Sequence, residues 1–292
     1  MKKLNKFMAV AIVIVLHFGS MEFIKTNAET LNSFSFISAN KPLKEEYKIN
    51  SRFSAKKLRL KRNTYILDYK QEDVSGDSIK DDVLLVGVKK DGSKSLFCED
   101  INIVIKDGKN QKYTKLSLGK INSGYNGKLF LGDFNGDKIA DIFIEITKDK
   151  EHEDAICSLI SFKDNKPIYL LDPMKFGLAL NFQIKYLDGF KINIINKVAN
   201  KEYPIDISNK KEDYIKAGIY DETGKLINEL HGKCYGINEL KPVDVDKDGV
   251  FELEGLQKLC GTNDKDSLGY GRSLWKYNKS RFILISIQVE PI

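Results

Sequence analysis

The sequence predicts an all-β protein built from antiparallel hairpins, and three observations predict it. Short runs of β-branched and aromatic residues recur from about residue 52 onward, separated by Asp-Gly, Asn-Gly and Gly-Lys turn pairs. No stretch of a dozen residues keeps a convincing apolar period of 3.6, and 209–217 is the only weak helical candidate. Three acidic segments, each running into a β-like run, align with one another without gaps.

In chain order, strands are expected at 64–69, 83–88, 101–105, 128–131, 142–146, 156–162, 190–195, 214–220 and 282–289. Asp107-Gly108, Asn126-Gly127 and Asp188-Gly189 are turn signals between such runs, because these pairs reach the positive φ angles that tight hairpins require. Upstream, Lys2, Lys3 and Lys6 precede an apolar run over 7–18. A positive start and about a dozen apolar residues read as a secretory signal; a membrane span needs roughly 20. Thr26-Asn27-Ala28 offers a small-x-Ala cleavage site. The expected organisation is therefore 1–28 as signal peptide or uncleaved anchor, 29–51 as a linker rich in Ser, Asn and Lys, and 52–292 as the β-domain. The expected location is secreted or at the cell surface.

Composition narrows the function classes. With 42% hydrophobic and 30% charged residues the chain is not wholly disordered. Half of the formal charge of +6 sits in 1–28, and the remainder is too small to predict nucleic-acid binding. The run Lys56, Lys57, Arg59, Lys61, Arg62 can touch an anionic wall polymer or membrane surface, although such runs are more often solvated faces. Of the four cysteines, Cys234 and Cys260 flank the third acidic segment and are the expected pair if any disulfide forms. Cys98 and Cys157 lie in strand-like runs, as buried thiols do, and no C-x-x-C spacing points to zinc.

The acidic segments carry the chemistry. They begin at Asp73 (DVSGDSIKDDVLLV), Asp133 (DFNGDKIADIFIEI) and Asp244 (DVDKDGVFELEGLQ). Oxygen-bearing side chains stand at positions 1, 3, 5 and 9: Asp73, Ser75, Asp77 and Asp81; Asp133, Asn135, Asp137 and Asp141; Asp244, Asp246, Asp248 and Glu252. Position 7 is apolar each time (Ile79, Ile139, Val250), so its carbonyl can supply another oxygen while its side chain turns inward. Calcium takes six to eight oxygens at about 2.3–2.6 Å, and alternate residues of a tight loop can all face one centre. Ca2+ is thus the expected cofactor. A helical EF-hand is excluded: position 12 holds Leu84, Ile144 and Gly255 where it needs a carboxylate, and strand-like residues flank the loops. The third loop, with four carboxylates and Gly249 at the turn, is expected to bind best. The second has Lys138 at that turn position, and the first has Ser75 and Ser78. The larger gap between the second and third loops leaves two readings open, a degenerate unit near 186–189 or an insertion of plain hairpins over 175–230.

GDFNGDKIADIFIEI at 132–146 resembles the FG-GAP or VCBS type of repeat. The C-terminal part, with YLDGFKI, GIYDETGKL, PVDVDKDGVFEL and DSLGYGRSLWKY, is similar to small VCBS-repeat proteins exported by Gram-positive spore-forming bacteria. The resemblance implies calcium at Asp133, Asn135, Asp137 and Asp141, and by alignment at the other two loops. It also implies a small or incomplete β-propeller-like array of antiparallel hairpin units. The FG-GAP sequence itself is missing, and there is room for only about four units, so a closed seven-bladed ring is excluded.

Catalytic signatures are few. His152 lies in a charged turn and His231 three residues before Cys234; no G-x-S-x-G elbow, P-loop or dinucleotide fingerprint occurs. Asp264, Asp266, Tyr270 and Trp275 can line a sugar-stacking surface or, more simply, belong to a closing strand with a packed Trp. The function expected is a non-catalytic binding or adhesion module for a protein or glycan ligand at the cell surface, with membrane contact only through an N-terminal anchor if that segment is uncleaved. A polysaccharide-active enzyme or a structural envelope or spore component is the alternative.

Overall fold

The computed structural model describes residues 47–119, 122–148, 155–171, 180, 182–234 and 236–292. The expected signal peptide, the linker up to residue 46 and His152 lie outside the described residues. Among the described residues no helix is long and apolar enough to cross a membrane.

The chain is all-β in antiparallel sheets. Strands β1 (Thr64–Glu72), β2 (Asp81–Val88), β3 (Glu99–Lys106) and β4 (Tyr113–Ser117) form a four-stranded meander in sequential order. Strands β5 (Tyr125–Gly132), β6 (Asp141–Thr147), β7 (Ala155–Ser161) and β8 (Ile168–Leu171) repeat it. A three-stranded sheet follows, from β9 (Phe182–Leu187), β10 (Lys191–Asn196) and β11 (Lys201–Asp206), then helix α1 (Lys211–Lys216). The last sheet comprises β12 (Lys233–Cys234), β13 (Glu239–Val243), β14 (Glu252–Cys260), β15 (Ser267–Asn278) and β16 (Arg281–Pro291). Within it β13, β14, β15 and β16 form a third four-stranded meander, and β12 shares β13's edge of β14.

Side-chain alternation explains how the sheets stack. In β2, Val83 and Leu85 point to one core while Leu84 and Val86 point to another, so the strand is apolar throughout. Val83, Leu85, Ile103 and Ile105 of the first sheet share a core with Ile142, Ile144 and Ile160 of the second. Phe143 and Leu159, on the second sheet's other face, join a core with Leu253, Leu259 and Trp275 of the last sheet and with β9 and β10. The first sheet's outer face is covered by Tyr47, Phe53, Leu58 and Leu60. Tyr47, inside the stretch expected to be linker, is buried in this core.

The expectations at 64–69, 83–88, 101–105, 128–131, 142–146, 156–162, 190–195 and 282–289 coincide with strands to within a few residues. The one at 214–220 is overturned in favour of the weaker helical reading. Tyr214 is the buried residue of α1, and Gly218, at φ +69°, ends it. Gly218 N–H donates to Ile215 O (2.9 Å) and Ile219 N–H to Tyr214 O (2.9 Å), the paired bonds of a glycine-terminated helix. The region around Asp188-Gly189 is a plain three-stranded meander, β9 to β11, with no acidic ladder at its first turn.

Candidate functional site

The three acidic loops occupy one equivalent place, joining the first and second strands of each four-stranded meander: β1 to β2, β5 to β6 and β13 to β14. They also share a backbone. Positions 4 and 6 are left-handed in every loop: Gly76 and Ser78, Gly136 and Lys138, Lys247 and Gly249. Glycine fills one of these positions in each loop, so three different sequences reach the same turn.

Three hydrogen bonds recur. The position 2 N–H donates to the position 9 carboxylate: Val74 to Asp81 (3.1 Å), Phe134 to Asp141 (3.0 Å), Val245 to Glu252 (3.3 Å). The position 6 N–H donates to the position 1 carboxylate: Ser78 to Asp73 (2.7 Å), Lys138 to Asp133 (2.7 Å), Gly249 to Asp244 (3.2 Å). The position 7 N–H donates to position 5: Ile79 to Asp77 (3.0 Å), Ile139 to Asp137 (3.0 Å), Val250 to Asp248 (2.7 Å). Asp81, Asp141 and Glu252 are all buried, so each loop places one carboxylate inside the protein.

The loops differ in what remains for an ion. In the first, the second Asp73 oxygen accepts from Gly76 and Asp77 N–H, and Asp81 accepts additionally from Ser75 and Gly108 N–H. In the second, Asp133 accepts from Asn135 and Gly136 N–H. The Asn135 amide nitrogen donates to Asp141 (3.1 Å) while its oxygen accepts from Asp137 N–H (3.0 Å), so Asn135 closes the loop as a donor. Lys163 Nζ pairs with Asp137 at 3.1 Å. Burial pushes the Asp141 carboxyl up to about 7, and Asp137 and Asp133 add to this, against the pull of the Phe134 N–H and the Ser161 hydroxyl.

The third loop is left open. Asp244, Asp246 and Asp248 each offer an oxygen, all within 4.8 Å of one another, the one such acidic group found among the described residues. Asp244 Oδ1 is buried and has no hydrogen-bond partner. Lys276 Nζ stands 2.8 Å from Glu252 Oε1 and 4.0 Å from Asp246 Oδ2, so an ammonium sits beside the cluster.

Successive loops are joined by one repeated contact. The position 8 N–H of each loop donates to the position 1 carbonyl of the loop before: Ala140 to Asp73 (3.3 Å) and Phe251 to Asp133 (2.7 Å). Ile139 of the second loop lies against Gly76 of the first. The inward turn expected at position 7 fails for Ile79, which is 42% exposed.

Other expectations resolve plainly. Trp275 is buried with its Nε1–H donated to Ser273 Oγ (2.9 Å), so it belongs to the core and lines no sugar surface. All four cysteines are free thiols; Lys233 faces Cys260 and Cys234 faces Leu259 across the strands, so the expected Cys234–Cys260 bond is not formed. Burial pushes the Cys234 thiol up to about 11, away from thiolate reactivity. His231 is exposed. One cluster had no sequence signal: Asp266 accepts from Tyr214 (2.9 Å), Tyr186 (3.3 Å) and Lys210 (3.2 Å), residues 52 to 80 positions away.

Comparison with known proteins corrects the resemblance to FG-GAP and VCBS repeats. The chain matches no such repeat family; the family that matches is the YybI C-terminal domain, over residues 180–290. Only the loop residues of that resemblance were specific, and an acidic turn between two strands does not by itself define a repeat family. A protein of Bacillus subtilis (strain 168) described as uncharacterized protein YybI is 31% identical over 211 residues, covering 72% of this chain and 79% of that one. No solved structure matches. Identity at this level over most of both chains fixes the kinship: the chain belongs to the YybI family.

Proposed function

We propose that this is an exported, non-catalytic binding or adhesion protein whose stacked β-meanders form an incomplete propeller-like array, clipped by calcium at the third acidic loop. The observation that carries the reading is the convergence of Asp244, Asp246 and Asp248, with a buried Asp244 oxygen that nothing else satisfies. A hard divalent cation is the partner such oxygens accept. Glu252, anchored by Val245 N–H, would close the shell once Lys276 swings aside. The apolar run at 7–18 behind a lysine-rich start supports export, where calcium is plentiful. The three equivalent meanders, joined loop to loop, support the array.

Extracellular calcium modules bind at roughly 0.1–1 mM, and ten times that concentration over Kd raises stability by about 1.4 kcal/mol. Calorimetry with Ca2+ is expected to show one main binding event that Asp244→Asn abolishes, and melting in chelator is expected a few degrees below melting in millimolar calcium. No heat of binding and no change of melting temperature would reject the assignment.

A further inference from the structure

We propose that the strap of residues 47–63 docks the protein onto the surface of an anionic lipid bilayer. The strap carries seven Lys and Arg and no Asp or Glu, whereas residues 64–292 carry 34 Lys and Arg against 37 Asp and Glu. The molecule's excess positive charge is thus concentrated in one short segment on a slightly acidic body.

The fold decides which way that charge points. Tyr47, Phe53, Leu58 and Leu60 face inward against Ile66, Leu84, Val86 and Val104 of the first sheet. With these four side chains committed to the core, the strap turns its cations outward. Lys56, Lys57, Arg59 and Arg62 are exposed and make no ion pair among the described residues. Lys61 reaches Asp100 at 3.1 Å yet stays 66% exposed.

Charge alone would fit any polyanion; the neighbouring apolar residues select a bilayer. Ile49, within the strap, is 55% exposed, and Leu96 is 63% exposed. Leu96 stands in the turn between β2 and β3, beside exposed Lys94. Lys89 ties that turn to the strap: its N–H donates to Asn63 O (3.0 Å) and its Nζ to Asn50 Oδ1 (2.8 Å). Protruding aliphatic side chains among unpaired cations match the headgroup and acyl boundary of an anionic membrane. A soluble polyanion would leave them without a role. The strap gives the protein a membrane contact independent of any N-terminal anchor.

The test is co-sedimentation of the full-length chain with vesicles of phosphatidylcholine alone and of equal parts phosphatidylcholine and phosphatidylglycerol. The wild type is expected to prefer the mixed vesicles, and to lose that preference in high salt. Changing Lys56, Lys57, Arg59 and Arg62 together to Gln is expected to lower binding to mixed vesicles by about tenfold or more, without changing binding to neutral ones. Lys57→Glu alone, at one exposed position, gives a milder variant in the same direction. Ile49→Ser with Leu96→Ser is expected to weaken vesicle binding several-fold. A charge variant that keeps the full preference overturns the proposal. So does an Ile49/Leu96 variant that binds unchanged while inorganic polyphosphate binds the wild type as tightly as vesicles do, which would assign the strap to soluble polyanions.

Discussion

Gly136 and Lys138 hold the same left-handed backbone two residues apart, at φ +81° and +67°. The glycine adopts it without penalty, whereas a side chain with a Cβ costs about 1–2 kcal/mol there. Lys138→Gly is therefore expected to stabilise the protein by up to about 1 kcal/mol, after subtracting glycine's greater freedom in the unfolded chain. Ser78→Gly should behave alike, and urea melts of both variants check it. Asp141 is the other residue whose setting is unfavourable as it stands. Its folded carboxyl titrates near 7 against an ordinary 3.8, so the folded state keeps a proton that the unfolded chain releases. A raised carboxyl contributes stability below its ordinary value and loses it as pH climbs through the folded one. In calcium-free buffer, stability is expected to fall between about pH 4 and pH 7, by at most about 1.4 kcal/mol per unit from this group. Asp141→Asn should flatten that slope in thermal melts across the range; a variant with the wild-type slope would show that the charge lies elsewhere.

Among the elements, the three-stranded sheet and α1 are held to the last meander by Asp266. Its side chain is 12% exposed, and it receives Lys210, Tyr214 and Tyr186 while its own N–H and carbonyl shape the turn before β15. Asp266→Ala would leave an ammonium and two tyrosine hydroxyls without their acceptor, which is expected to cost about 3 kcal/mol. Asp266→Asn keeps an acceptor and should cost less; the pair of variants in urea unfolding separates charge from hydrogen bonding. This hub was invisible in the sequence because its parts come from three elements far apart in the chain. Strands β2 and β6 were legible because both faces are buried and β-branched, Leu and Phe side chains dominate the run. Strands such as β4 and β11 were not, since their half-exposed residues mix Lys, Glu and Thr with few apolar side chains. Helix α1 was almost lost for a related reason: six residues bury only Tyr214, too little for a period.

Across the whole molecule, the acidic loops were the most legible feature, and what the sequence could not convey was their contact with one another. Alignment put equal residues at equal positions, but the bond from Ala140 to Asp73 and from Phe251 to Asp133 exists only when whole meanders stack in register. The two glycines at position 4 isolate that stacking. Gly76 and Gly136 share φ +81°, so alanine at either meets the same backbone strain of about 1–2 kcal/mol. A Cβ on Gly136 enters open space, whereas one on Gly76 would stand 2.5 Å from Ile139 Cδ1 of the next loop. Ile139 is half-buried and Cδ1 is its far end, so it can turn aside at a cost of about 0.5–1.5 kcal/mol. Gly76→Ala is therefore expected to destabilise more than Gly136→Ala by that margin, and Ile139→Ala should recover most of the difference in a double-mutant cycle. Equal effects at the two glycines would mean that the first and second meanders do not press on each other through their loops. A coupling of 1 kcal/mol or more would make the row of loops a seam that transmits strain from one meander to the next.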